Sequence, residues 1–131
     1  MQTTTTDIAA LLRDGYDCFA RGDVPGAMSS FSPDIVWTIP GPRGLDGVYR
    51  GHAGVGDFFT KIAAAWSHQV LSLEEILVDG DRAVVLGRHD ISGAGGSCDI
   101  AFAHVWEVRD GLATSFTELT DTQELARVLA G

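Results

Sequence analysis

The sequence predicts an α+β fold in which helices come first and an antiparallel sheet follows. Two observations predict it. In the first half of the chain, apolar residues recur at spacings of three and four, the period of a helix with one buried face. From about residue 70 onward, apolar and polar residues alternate, and Gly-containing turns separate the runs, as in consecutive antiparallel strands. A length of 131 residues suits one domain over residues 1–131, with the helices on one face of the sheet.

Two helices are predicted ahead of the first strand. Residues 1–5 form a frayed start, and Thr6 caps a helix from residue 7 to about residue 21. Asp23 caps a second, short helix whose apolar side reaches Phe31.

A strand over residues 36–39, a long loop and a third helix come next. The loop spans residues 40–50, because its prolines and glycines interrupt any regular element. From about Gly51 the apolar residues return to helical spacing, until near Trp66. A strand that passes through such a loop into a helix is typical of the rim of a pocket.

Four strands and a short helix complete the chain. Short turns join the strands, which makes them an antiparallel meander. Asp121 caps the last helix, and Glu124 follows three residues later, as in a capping box. The strands are predicted over residues 70–78, 82–92, 97–108 and 112–120.

Composition excludes several classes of partner. The net charge of −9 and the isoelectric point near 4.6 argue against nucleic acid and anionic membrane surfaces. No apolar run reaches the ~20 residues that a membrane-spanning helix needs. The first residues have neither the positive charge nor the apolar core of a signal peptide, so a cytoplasmic location is expected.

Cysteine and histidine spacing indicates neither a disulfide framework nor a metal site. Cys18 and Cys98 match no metal or redox motif and are expected to be unpaired thiols. The four histidines form no HxH or HExxH pattern, so no metal is expected. No phosphate-binding loop or dinucleotide-binding glycine pattern is present, and no cofactor is expected.

Alternation along the last two strands groups the residues that could carry chemistry. Phe102, His104 and Trp106 share one face of their strand, and Phe116 and Glu118 share a face of the next. Apolar faces that hold one or two ionisable groups are typical of the wall of a ligand cavity. An ordinary sheet edge has the same composition, so both interpretations stay open.

Glu118 is the strongest candidate for acid–base chemistry. Beside Phe116 in a cavity wall it would be partly desolvated, which favours the neutral form and would raise its pKa towards working pH. The alternative is an exposed glutamate on a strand. Arg88 and Asp90 also share a face of their strand, and they either reach the same cavity or form a structural pair.

Three motifs point to a family. They are W-x-x-P-G over residues 37–41, G-x-Y-x-G over residues 47–51 and V-x-x-F-F over residues 55–59. In this order they resemble the SnoaL-like branch of the NTF2-like (ketosteroid-isomerase-like) superfamily, along almost the whole chain. The resemblance implies a cone: a curved antiparallel sheet, three N-terminal helices over a pocket, and a short C-terminal helix. It indicates function less than fold, because this fold hosts enzymes and binding proteins alike.

The resemblance also implies roles for individual residues. SnoaL-type polyketide cyclases have their acid–base carboxylate at the position of Glu118 and a histidine at that of His104. Limonene-epoxide-hydrolase-like enzymes have an Arg-x-Asp where this chain has Arg88 and Asp90.

This chain departs from two of the related enzymes. Val36 and Thr38 stand where the epoxide hydrolases have their water-positioning Tyr and Asn. Thr38 and a residue near Ala103 replace the two catalytic aspartates of the steroid isomerases, so that reaction is disfavoured.

Two hypotheses follow. The first is a cofactor-free enzyme that uses Glu118 and His104, with Arg88 and Asp90 as further catalytic candidates, on a mainly apolar, oxygen-bearing small molecule. Cyclisation, isomerisation and epoxide opening would each suit these groups. The second is a small-molecule-binding dimer without turnover. Candidate ligand contacts in the pocket are Tyr16, Trp37, Thr38, Phe58, Phe59, Trp66, Phe102, Trp106 and Phe116.

A homodimer through the outer face of the sheet is expected. The strand over residues 97–108 has apolar residues on both faces, with Ala103, Val105 and Val108 assigned to the outer one. The helices cover one face only, so a second copy would cover the rest.

Overall fold

The computed structural model describes residues 5–130. Residues 1–4 of the predicted frayed start lie outside this range, and the first helix begins at Thr5, earlier than predicted. Within residues 5–130, no helix is long and apolar enough to cross a membrane. The elements are α1 (Thr5–Ala20), α2 (Val24–Met28), β1 (Phe31–Ile39), β2 (Gly47–Arg50), α3 (Gly51–Ala65), β3 (His68–Asp79), β4 (Arg82–Gly93), β5 (Gly96–Arg109), β6 (Leu112–Thr120) and α4 (Thr122–Leu129).

The six strands form one curved sheet in the order β2-β1-β6-β5-β4-β3. Strands β3 to β6 are the predicted antiparallel meander. The sheet as a whole is mixed, because β1 pairs with β6 in parallel, with Trp37 opposite Phe116. The predicted antiparallel pairing therefore holds for the other neighbouring strands of the described sheet, and β1 with β6 is the exception. Helix α3 carries the chain from β2 at one edge to β3 at the other, and the meander then returns to β1 in the parallel direction.

Two segments before α3 differ from prediction. Phe31 begins β1 and does not extend α2; its ring is buried against Trp37 and Trp106, and this packing overrides the local helical pattern. Part of the predicted loop is strand β2, which pairs antiparallel with β1. Strand β1 supplies the backbone hydrogen-bond partners of β2, and the composition of the loop alone does not indicate this pairing.

The sheet has a buried inner face and a more exposed outer face. On β5 the buried positions are Ile100, Phe102, His104, Trp106 and Val108. Val108 was assigned to the outer face, and that assignment is wrong, because it shares the inner face with Trp106, two residues away. Helices α1 and α3 cover the inner face, and α4 packs on β4 and β5.

Candidate active site

A cavity of about 90 Å³ lies between the inner face of the sheet and the helices. A single water needs roughly 10–15 Å³ by this kind of measure, so there is room for a compact organic molecule. Most of the wall is apolar, and much of it is aromatic. The aromatic lining residues are Tyr16, Phe19, Phe31, Trp37, Phe58, Phe59, Trp66, Trp106 and Phe116.

The polar side chains of the wall are few. Glu118 is the one acidic residue among the described lining residues, which include neither Lys nor Arg. His104, Tyr16, His89 and Gln69 supply most of the remaining side-chain polarity. A mostly apolar wall with a few convergent polar groups is typical of a small-molecule site.

Strand register brings His104 and Glu118 together. The two residues are directly opposite each other on β5 and β6, and both point inward. Nε2 of His104 lies 3.0 Å from Oε2 of Glu118. The expectation that these side chains face one cavity within hydrogen-bond reach is therefore met.

Helix α1 adds a tyrosine to this pair. The Tyr16 hydroxyl lies 2.6 Å from Nδ1 of His104, and the Trp106 indole N–H donates to the same hydroxyl oxygen at 3.0 Å. One assignment uses each group: Trp106 donates to Tyr16, Tyr16 donates to Nδ1, and Nε2–H donates to Glu118. Phe102 stacks on the imidazole at a centroid distance of 4.1 Å, which fixes its plane. We call the four residues Trp106, Tyr16, His104 and Glu118 the polar chain.

The electrostatics of Glu118 differ from expectation. Burial raises its pKa, but the hydrogen bond from His104 and the charge interactions with His104 and His89 lower it by more. The net pKa lies below its ordinary value, so the carboxylate is ionised at neutral pH. The predicted rise is wrong because the sequence neighbours of Glu118 did not show that His104 lies opposite it and donates a hydrogen bond to it.

The Tyr16 hydroxyl stays protonated. Burial raises its pKa, with a smaller increase from the nearby Glu118 charge, and the hydrogen bond from Trp106 offsets only part of this. Tyr16 therefore acts as a hydrogen-bond donor and not as a base near neutral pH.

His89 is a lining residue that the sequence interpretation missed. Its side chain is 6% exposed, and its Nε2 lies 3.0 Å from Oε1 of Gln69. Burial lowers the pKa of His89 to about 4, and the charge of Glu118 reverses only part of this. Nδ1 of His89 and the indole nitrogen of Trp37 are buried without a hydrogen-bond partner among the described residues.

Arg88 and Asp90 lie on the outer face of β4, and their predicted place in the cavity is wrong. Asp90 is 57% exposed and sits 3.4 Å from His68, while Arg88 binds Asp99 at 3.0 Å. The physical reason is alternation: His89 between them points inward, so both neighbours point outward.

Two expected ligand contacts also lie elsewhere. Thr38 is on the outer face of β1, because Trp37 points into the core. Phe102 is buried behind His104 and does not line the cavity. The other seven expected contacts do line it: Tyr16, Trp37, Phe58, Phe59, Trp66, Trp106 and Phe116.

Potential metal ligands and thiols are scattered over the described part of the chain. No group of three His, Cys, Asp or Glu side chains is arranged to hold a metal ion among these residues. Cys18 is buried and Cys98 is half-buried, and both are free thiols.

The curved sheet, the helices over its inner face and the pocket between them define an NTF2-like protein. Within this class the chain belongs to the SnoaL-like domain family, whose model matches residues 12–116. An uncharacterized protein of Mycobacterium tuberculosis is 34% identical over 113 residues, covering 82% of this chain and 84% of the relative.

Two solved structures are similar over nearly the whole chain. An NTF2-like protein of unknown function from Burkholderia pseudomallei superimposes with a TM-score of 0.89 at 32% identity, covering 94% of this chain and 97% of that one. TerC, co-crystallized with polyporic acid, superimposes with a TM-score of 0.86 at 30% identity, covering 92% and 96%.

Proposed function

We propose that this chain is a cofactor-free enzyme that transfers a proton on a mainly apolar, oxygen-bearing small molecule in the cavity. The polar chain supports this most directly. It places an ionised carboxylate, held by His104 at 3.0 Å, in a wall that is otherwise largely aromatic. The similarity to TerC, which was crystallised with a small molecule, agrees with a ligand in this cavity.

Glu118 is the proposed base. Its Oε2 is held by His104, and 11% of the side chain remains exposed in the cavity wall. A carboxylate with a lowered pKa is ionised in nearly every molecule but is a weak base. The proton it removes must therefore be acidic, such as one on a carbon next to a carbonyl group.

The remaining members of the polar chain position the base. Tyr16 holds the His104 ring through Nδ1, which directs Nε2–H to Glu118. Trp106 in turn holds the Tyr16 hydroxyl. Proton removal followed by return at another atom is an isomerisation, and capture of the resulting carbanion by a carbonyl carbon of the same molecule is an aldol cyclisation.

The epoxide-hydrolase alternative loses its main support. It required an Arg and an Asp beside the carboxylate, and Arg88 and Asp90 lie outside the cavity. A binding protein without turnover is the rival candidate, because a carboxylate already paired with His104 and of lowered pKa is also what a purely structural pair would show.

Deuterium exchange tests the proposal without knowledge of the natural substrate. The wild-type chain should accelerate exchange of the hydrogens next to the carbonyl of 1-tetralone, a two-ring aromatic ketone, in D₂O, as measured by mass spectrometry. Glu118→Gln keeps an acceptor for His104 but cannot take the proton, so the acceleration should fall by about 10²–10⁴-fold. Glu74→Gln, at an exposed position on β3, is the matched control and should exchange like wild type.

The outcomes separate the candidates. Binding of the ketone without accelerated exchange favours the binding protein, and equal exchange by wild type and Glu118→Gln removes Glu118 from the mechanism. Neither binding nor exchange, for this ketone and related ones, argues against the proposal as a whole.

A homodimer through the outer face is a further part of the proposal. Apolar side chains are exposed there on several strands, including Val48, Val70, Leu77 and Leu119, of which Leu119 is 53% exposed. An isologous pair would cover them. Sedimentation should show a dimer at micromolar concentration and a monomer for Leu119→Glu; a monomeric wild type would contradict the proposal.

A further inference from the structure

His89 and Gln69 form a second polar group in the cavity, apart from the polar chain. The two side chains come from adjacent strands, β4 and β3, and are joined at 3.0 Å between Nε2 and Oε1. Both line the cavity, and His89 is almost completely buried. Proton transfer by Glu118, as proposed above, gives this pair no role.

The contact with Gln69 determines what the other nitrogen of His89 can do. The Gln69 amide oxygen is an acceptor, so Nε2 of His89 carries the proton of this hydrogen bond and donates it to Gln69. A neutral imidazole has one N–H only, which leaves Nδ1 as a bare acceptor. Nδ1 is buried and has no partner among the described residues. Buried acceptors are nearly always satisfied in native proteins, so a missing donor is informative.

We infer that His89 is a specificity-determining residue whose Nδ1 accepts a hydrogen bond from a hydroxyl group of an uncharged aromatic ligand. This rests on the proposed function for the cavity being a ligand site, and it adds the substrate class. The ligand is aromatic because the wall is, and it is uncharged because no Lys or Arg among the described lining residues could balance an anion beside Glu118.

The polar chain and the His89–Gln69 pair then have different roles. Glu118 acts on the carbon acid of the ligand, and His89 recognises a hydroxyl elsewhere on the same molecule. Nδ1 is buried, so the inference requires that the bound ligand shift neighbouring wall side chains before its hydroxyl can reach Nδ1. A ligand that lacks the donor leaves Nδ1 unsatisfied and is rejected.

Three probes of the same indane skeleton test this by calorimetric titration of the full chain. They are 5-indanol, which donates a hydrogen bond, 5-methoxyindane, which only accepts one, and indane-5-carboxylate, which is anionic. The wild type should bind 5-indanol about tenfold more tightly than either of the others, the effect of one well-placed hydrogen bond.

Two conservative variants separate the nitrogens of His89. The amide of His89→Asn lies near the position of Nδ1, so the preference for 5-indanol should persist. The amide of His89→Gln reaches the position of Nε2 and keeps the contact with Gln69, so folding is preserved while the preference falls to about onefold. His68→Gln, at an exposed position on β3, is the matched control and should behave like wild type.

Glu118→Gln tells the two acceptors apart, because a carboxylate could also accept from the phenol. The preference should survive this change. Three results would overturn the inference: the preference is lost in Glu118→Gln, it is kept in His89→Gln, or wild type binds all three probes equally well. None of them would affect the exchange test of the proposed function. No binding of any probe would instead argue against a ligand cavity, and with it against both proposals.

Discussion

Acid should destabilise the folded chain through His89, ahead of its carboxyl groups. Burial lowers the pKa of His89 from the ordinary 6.5 to about 4 in the folded state, while in the unfolded chain the ring is solvated. Between these two values the unfolded chain binds a proton that the folded chain does not. Stability is therefore complete above about pH 7 and is lost as the pH falls towards 4.

The size of the effect follows from the gap between the two values. Roughly 2.5 pH units at about 1.4 kcal/mol each give roughly 3 kcal/mol once the pH is below both. At about pH 5, where the folded ring is still neutral, about 2 kcal/mol of the free energy of unfolding should already be lost. The free energy of unfolding of a typical domain is only about 5–15 kcal/mol, so a loss of this size is easily measured.

Urea unfolding at about pH 7.5 and about pH 5 tests this on wild type, His89→Gln and His68→Gln. His89→Gln cannot take up the proton, so its stability should fall by about 2 kcal/mol less than that of wild type over this range. His68→Gln alters an exposed histidine and should follow wild type. The range stops at about pH 5, because carboxyl groups titrate below it. Equal losses in wild type and His89→Gln would refute the reasoning, as would an NMR titration that places the His89 pKa above 6.

Three further predictions concern the supports of the site. Tyr16→Phe should lower the free energy of unfolding by about 1–3 kcal/mol in urea titrations, because it leaves Trp106 and His104 without their shared partner. Gly87→Ala should lower the free energy of unfolding by about 1–3 kcal/mol, because the added Cβ would meet the Ser72 carbonyl oxygen and lie 2.7 Å from the ring of Phe102. That ring stacks on His104. An unchanged free energy of unfolding would show that the sheet adjusts freely. The double variant Cys18→Ser/Cys98→Ser should keep exchange activity, because burial and the charge of Glu124 raise the pKa of Cys98 and disfavour a nucleophilic thiolate; loss of exchange in a folded double variant would reveal a nucleophile.

Much of the fold could be predicted because each element has a strong local pattern. The alternation in β3 to β6 and the capping residues Asp23 and Asp121 gave the order of elements and most of their bounds. The errors lie where tertiary contacts decide. Phe31 enters β1 because it packs against Trp37 and Trp106, and β2 is a strand only because β1 lies beside it.

On β5 and β6 the inward direction of Phe102, His104, Trp106, Phe116 and Glu118 was predicted correctly, whereas on β4 the two faces were exchanged. Alternation divides a strand into two sets but does not say which set faces the core. On β5 and β6 the large aromatics settle the choice. On β4 both sets contain valine or leucine, and only the charges of Arg88 and Asp90 mark their set as the exposed one. Charged side chains are usually exposed, so Arg88 and Asp90 mark the outer face, and alternation then places His89 on the inner face.

The two histidines of the cavity have different partners. His104 lies opposite the Glu118 carboxylate, and Tyr16 holds its ring through Nδ1. His89 faces an amide, which offers hydrogen bonding but no charge, so burial keeps its ring neutral. Glu118 is ionised at neutral pH, and neither Lys nor Arg is among the described lining residues, so a second negative charge in the cavity would have no cation beside it. The proposed chemistry of Glu118 and the selectivity assigned to His89 therefore favour the same class of molecule, one that arrives uncharged.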